Sequence, residues 1–147
     1  MKNIFRKLKI NLLKIYHARG SAHEIALGAA IGSFWGVFPT FGLSTVFSLL
    51  LYRILRFNIV VAISASFISN PLTSPFWLVF SYNIGLFFTD AKDSFKFEKW
   101  YENLGELGFT MLIGSLLLSS ITALVVFFLT RFFVKRKQER KYKTMGT

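Results

Sequence analysis

Residues 25–52 read IALGAAIGSFWGVFPTFGLSTVFSLLLY, and residues 57–89 read FNIVVAISASFISNPLTSPFWLVFSYNIGLFFT. Neither stretch holds an Asp, Glu, Lys or Arg. Each is interrupted near its middle. The first break is Phe38-Pro39-Thr40-Phe41-Gly42, the second Ser69-Asn70-Pro71-Leu72-Thr73-Ser74-Pro75. Both stretches are long enough to reach across a bilayer. In lipid, a backbone freed from its helix needs hydrogen-bond partners, so broken helices persist there only when buried in protein or lining a polar cavity. Two such breaks in one small chain point to a mid-membrane site. The expected fold class is therefore all-α: a helical integral membrane protein with two Pro-broken segments, re-entrant or discontinuous, and one unbroken transmembrane helix.

The unbroken helix is Leu107–Thr130, an uncharged run of 24 residues that would span ~36 Å as a helix. Composition agrees with immersion. The chain has 147 residues, enough for one domain; it is 53% hydrophobic with a mean hydropathy of +0.49, and 18 residues are Phe. That is high for a soluble domain of this size.

A net charge of +11 could by itself suggest nucleic acid, but the charges sit at the two ends. Lys2, Arg6, Lys7, Lys9, Lys14 and Arg19 precede the apolar region with no acid among them. Arg131, Lys135, Arg136, Lys137, Arg140, Lys141 and Lys143 follow it, opposed only by Glu139. Basic flanks of apolar spans mark the cytoplasmic side and attract anionic headgroups. Lys2, Arg6, Lys7, Lys135, Arg136 and Lys137 are accordingly expected to meet lipid headgroups, and nucleic acid is not expected as a partner. With both basic ends inside, the number of full crossings is even. The simplest count is two: a re-entrant hairpin over 25–52, a broken span over 57–89 and a final span over 107–130. A single kinked span over 25–52 is the rival, and it would place Arg53 and Arg56 outside.

The remaining organisation follows. Residues 1–20 read as a basic amphipathic helix lying in the headgroup plane. The membrane domain covers 21–130, with a mixed-charge loop at 90–106 placed outside, and 131–147 is a basic cytoplasmic tail. Ser21-Ala22-His23-Glu24 fits a capping box at the start of the first buried helix. Gly28, Gly32 and Gly36 form a stripe that lets another backbone come close. Its partner is a helix of the same chain or of a second protomer, and the hairpin partner after Pro39 is the nearer candidate.

The breaks supply the candidate binding residues: Pro39, Thr40, Gly42, Ser69, Asn70, Pro71 and Thr73. Buried Ser, Thr and Asn can satisfy the backbone groups that Pro71 and Pro75 release. They can equally present neutral dipoles to a ligand. Proton-relay chemistry is disfavoured, because it needs ionisable groups within the spans. The chain has no cysteine, which removes disulfides, thiolate metal sites and cysteine nucleophiles. His17, His23 and Glu24 lack metal-ligand spacing and a partner aspartate, so no enzyme activity, metal or cofactor is expected.

The segments SAHEIALGAAIGSFWGVFPTFGLST and RFNIVVAISASFISNPLTSPFW carry a further signal. Glu24–Gly28, Gly28–Gly36, Pro39–Gly42, Arg56–Asn58 and Ser69–Thr73 together resemble the domain of unknown function 2062 family of small bacterial membrane proteins. The likeness covers about residues 19–130. His23 stands where that family more often has proline. The resemblance implies a bacterial membrane protein; with the charge distribution, the expected location is the inner membrane, multi-pass, with both termini cytoplasmic. It implies no particular activity. Some relatives are joined to glycosyltransferase domains, which hints at envelope metabolism. Two functions are open: a small transporter or lipid- or solute-translocating protein with its site at the breaks, or a membrane scaffold or accessory subunit that associates through the glycine face.

Overall fold

A computed structural model describes residues 20–40, 42–68, 73–89 and 104–145, with side chains of the last stretch described for 108–140. The described residues form five helices and no strands: α1 (Ala22–Val37), α2 (Ser44–Tyr52), α3 (Ile59–Ser66), α4 (Ser74–Leu86) and α5 (Leu104–Met145). One of them, over Gly108–Arg140, is long and apolar enough to cross a membrane. The N-terminal segment with Lys2, Arg6 and Lys7, the Ser69-Asn70-Pro71 core of the second break, and most of the 90–106 loop lie outside the described residues.

Local chemistry sets where the helices start. The Ser21 hydroxyl accepts from the Glu24 amide at 3.2 Å, and the Glu24 carboxylate accepts from the Ser21 amide at 2.9 Å. This reciprocal cap is worth about 1 kcal/mol to a helix start. Accepting the Ser21 hydrogen bonds holds the Glu24 carboxyl below the usual carboxylate range. Asn58 caps α3 by accepting from the Val61 amide at 3.1 Å. Pro75 occupies the first turn of α4, where its missing N–H would have had no helical acceptor anyway.

The long helix α5 runs 42 residues, ~63 Å. It does not stop at Thr130, where the apolar run ends. The sequence from Arg131 to Met145 contains no Gly or Pro, and Lys, Arg, Gln and Glu are good helix formers. The helix therefore carries on through the basic tail.

Close contacts fix the topology. Asn58 and Ala62 lie against Gly28 and Gly32, and Ser66 with Ile68 lies against Gly36. Equal steps along both helices mean that α1 and α3 run parallel, in register. The Asn58 amide donates to the Glu24 carbonyl at 3.0 Å, so the chain has returned to the level of α1's start before α3 begins. Helices α1 and α2 thus form a hairpin with both ends at one level. The partner of the glycine stripe is α3 of the same chain, and not the hairpin partner α2 that the sequence favoured.

Along α5, Gln138 donates to the Gly20 carbonyl at 3.0 Å, and His23 meets the Phe127 ring edge-on at 5.7 Å. Helix α1 therefore runs antiparallel to α5 from its C-terminal half. Helix α4 packs on the other end of α5, also antiparallel. Gly114 abuts Ser81 and Gly85, Gly85 abuts Thr110, and the Thr89 and Thr110 hydroxyls are 3.1 Å apart. Residues 58–89 consequently travel from the Gln138 end of α5 to the Thr110 end.

Candidate functional site: the helix breaks and the buried hydroxyls

The ends of α1 and α3 come together. A methyl at Gly36 would stand 2.8 Å from the Ile68 Cγ2 and 2.9 Å from the Ser66 carbonyl. The turn after α1 and the segment after α3 are therefore neighbours. The 28 residues from Thr110 to Gln138 span ~42 Å of α5, and the 16 residues of α1 cover ~24 Å of that length. The ends of α1 and α3 thus sit near the middle of the long helix.

At the first break, the residue before proline is forced out of the helical region. Phe38 adopts φ −63°, ψ 138°, and its amide still closes α1 by donating to Phe34 at 2.9 Å. The Thr40 hydroxyl donates to the Trp35 carbonyl at 3.2 Å, satisfying a group that the ended helix released. Pro39 is half-buried in the turn. Gly42 has φ +91° and nothing close to where a Cβ would lie, so glycine is required there by conformation and not by crowding. Aromatic rings close the turn. Trp35 stacks on Phe47 at 4.7 Å, Phe34 stacks on Phe38 at 5.9 Å, and Trp35 meets Phe38 edge-on at 6.1 Å.

At the second break, Thr73 is the described member of the predicted site. Its hydroxyl donates to the Ile68 carbonyl at 3.1 Å, bridging the gap between α3 and α4. Its carbonyl accepts from the Phe76 and Trp77 amides.

The interior is lined with small and hydroxyl residues. Ser33, Ser48, Ser64, Ser66, Ser81, Thr110, Ser115 and Ser119 are buried beside Ile25, Ala26, Ala29, Ala30, Val61, Ala62 and Tyr82. Several hydroxyls donate to the preceding turn of their own helix: Ser48 to Ser44, Ser66 to Ile63, Ser115 to Leu112 and Ser119 to Leu116, at 2.9–3.1 Å. Such bonds satisfy a hydroxyl without needing a ligand. Two buried polar atoms among the described residues have no partner, the Trp77 Nε1 and the Ser81 Oγ. They lie one turn apart on α4, so they share a face. The sequence reading passed over both; of their neighbours, Tyr82 is buried and Asn83 exposed.

Among the residues whose side chains are described, the charged ones gather at one end. Arg53 and Arg56 follow α2, near the level of Glu24. Lys135, Arg136, Lys137 and Arg140 extend from the same end on α5. Arg136 lies over the Phe132 ring at 4.1 Å, and Arg131 over Phe127 at 5.8 Å. Among the described residues, no group of three or more His, Asp or Glu could hold a metal ion.

A family model described as an uncharacterized protein conserved in bacteria (DUF2062) matches residues 5–143. Neither a curated protein nor a solved structure matches the chain.

Proposed function

The chain belongs to the DUF2062 family of proteins conserved in bacteria, and from that premise we propose that this member is a multi-pass protein of the bacterial inner membrane that acts structurally, as a scaffold engaging anionic lipid at its basic end. One observation carries the membrane half of this reading. The packing is inverted relative to a water-soluble domain. Hydroxyls and alanines make up most of the buried residues, with Ile25, Val37, Phe57, Val61 and Tyr82 among them, while Phe76, Phe80, Phe87, Phe109, Leu116, Leu124 and Phe128 lie exposed. Only 17% of the most apolar stretch of α5 is buried. In water, so much open apolar surface would drive aggregation. In lipid, small residues belong at helix contacts and large apolar ones face the acyl chains.

On this reading the α1–α2 hairpin is re-entrant, residues 58–89 form a broken span and α5 the final span. Both basic ends then face the cytoplasm, as the positive-inside bias requires. Arg53 and Arg56 fall on that side, whereas a single kinked span would put them outside. The structural role is supported by how the break residues are used. Thr40 and Thr73 spend their hydroxyls on backbone carbonyls, and rings pack the first turn. The scaffold does not associate through the glycine face, because α3 fills it.

A second reading, translocation of a neutral polar solute or lipid, is favoured by one feature. The ends of α1 and α3 adjoin, and Trp77 Nε1 and Ser81 Oγ are buried without partners. The two readings separate in one preparation. Lipid carried through purification from a mixed bilayer should be enriched in phosphatidylglycerol or cardiolipin about twofold over the bulk. Lys135→Gln, Arg136→Gln and Lys137→Gln together should return it to the bulk ratio. Reconstituted protein should pass neither solute nor labelled lipid. Bulk-like lipid composition together with flux that changes in Ser81→Ala would replace the structural reading with translocation.

A further inference from the structure

The helices are unevenly shared between the two ends of α5. Helix α1 packs on the C-terminal half of α5, the glycine contacts pull α3 tightly onto α1, and α2 packs on both α1 and α3. Toward the N-terminal half, α4 packs on α5 and on no other helix to a comparable extent. Asn58 sits beside Glu24 and Ser66 beside Gly36, so α3 ends where α1 ends. Helix α2 turns back from that same level. Among the described residues the cross-section is therefore four helices at the basic end and two at the other. Each helix with its side chains is ~10 Å across, which makes the basic end roughly twice as wide over the described residues.

We propose that this protein is a one-sided membrane wedge, and that its preferred partner is a bilayer curved so that the leaflet at the basic end is the convex, expanded one. The inference rests on the membrane reading above and adds to it the shape of the lipid surface. The physical reason is differential area. Apolar flanks on α2, α3, α4 and α5 oblige lipid to fit closely around each level of the protein. Leu43, Val46, Leu49 and Leu50 on α2 and Val60 on α3 face outward in the wide half. Phe76, Phe80, Phe87 and Phe109 do so in the narrow half. Displacing more lipid area from one leaflet than the other is relieved when the crowded leaflet bends outward. The basic residues at the wide end add attraction to anionic headgroups in that leaflet. The hairpin tip stops near the middle of α5, so the extra volume is confined to one leaflet and does not cross to the other.

The test uses the full chain, which has no native cysteine, with the single substitution Glu139→Cys on the exposed basic tail. The protein is reconstituted into unilamellar vesicles of about 50 nm and about 400 nm diameter, sizes that differ in the curvature of the outer leaflet. A membrane-impermeant maleimide, applied before and after detergent, gives the fraction of tails facing outward. The wedge expects the outward-to-inward ratio to rise about threefold from the large to the small vesicles, a population shift driven only by differential fit. An equal ratio in both sizes, with protein fully resistant to alkaline extraction, overturns the wedge while leaving the membrane reading intact. Protein that alkaline carbonate strips from the vesicles overturns both.

Discussion

Replacing Gly32 with leucine is expected to separate α1 from α3 and to cost the fold about 3 kcal/mol or more. A side chain at Gly32 has no free space, because even its Cβ would collide with the Ala62 carbonyl. The obstacle is backbone in a helix and not the end of a flexible side chain, so relief requires moving α3 bodily. Gly28 and Gly36 face Asn58 and Ser66 in the same manner, and a shift at the central position breaks all three contacts together. Ile25, Ala29 and Val61 form the small apolar cluster beside this seam, with Val126 and Val134 of α5 packed on it. The measurement is a disulfide between Ala29→Cys and Val61→Cys, formed in membranes. It should close readily in the parent chain and fail in the Gly32→Leu background, along with a lowered melting point in detergent. A crosslink that survives the leucine, with the melting point unchanged, would mean that the close approach of α3 to α1 does not fall at Gly32.

The second large effect is expected at Gly114→Leu. A Cβ there would strike the Ser81 carbonyl and stand 2.6 Å from the Gly85 amide nitrogen. Helix α4 has no other substantial neighbour among the described helices, so losing this seam should release it from α5. The cost should again be about 3 kcal/mol, but located in the other half of the molecule. The Thr89 and Thr110 hydroxyls, 3.1 Å apart, give a second cysteine pair that reports on it. Gly114→Leu should abolish the 89–110 crosslink and leave the 29–61 crosslink in place, while Gly32→Leu should do the reverse. Simultaneous loss of both crosslinks in either variant would show that the two ends fold as one unit, against the division described above.

These two seams differ in how readable they were. The first shows in the sequence as three glycines at four-residue spacing. The second shows as Ser81-x-x-x-Gly85 facing Thr110-x-x-x-Gly114, the same small-residue spacing with only one glycine in each pair. It is therefore easily taken for ordinary transmembrane composition. Identity of the partner was not legible for either. Spacing says that a helix can be approached closely but not by which neighbour, and the chain turned back far enough for α3, rather than α2, to take the glycine face. The capping box at Ser21 was fully legible, because its donors and acceptors lie within four residues. The end of α5 was not. Hydropathy marks where the surroundings change, and the backbone has no reason to stop being helical at Arg131. The breaks were visible as prolines. What the sequence could not decide was whether their polar groups would be spent on the backbone. Thr40 and Thr73 are so spent, whereas the two unpartnered atoms lie further along α4, on Trp77 and Ser81.

The depth of the hairpin tip tests the account most directly. Leu43 is exposed at the turn between α1 and α2, with a backbone φ of −84° that any residue adopts, so Leu43→Cys carrying a spin label can be placed there and compared with Arg56→Cys. Collision rates with oxygen, which concentrates in the bilayer interior, and with a water-soluble nickel chelate give the depth of each. Immersion of the breaks requires the label at 43 to favour oxygen strongly and to lie near the bilayer centre, with the label at 56 at the aqueous boundary. A label at 43 as open to the nickel chelate as the one at 56 would put the tip in water and contradict the reading of this chain as membrane-embedded at its breaks.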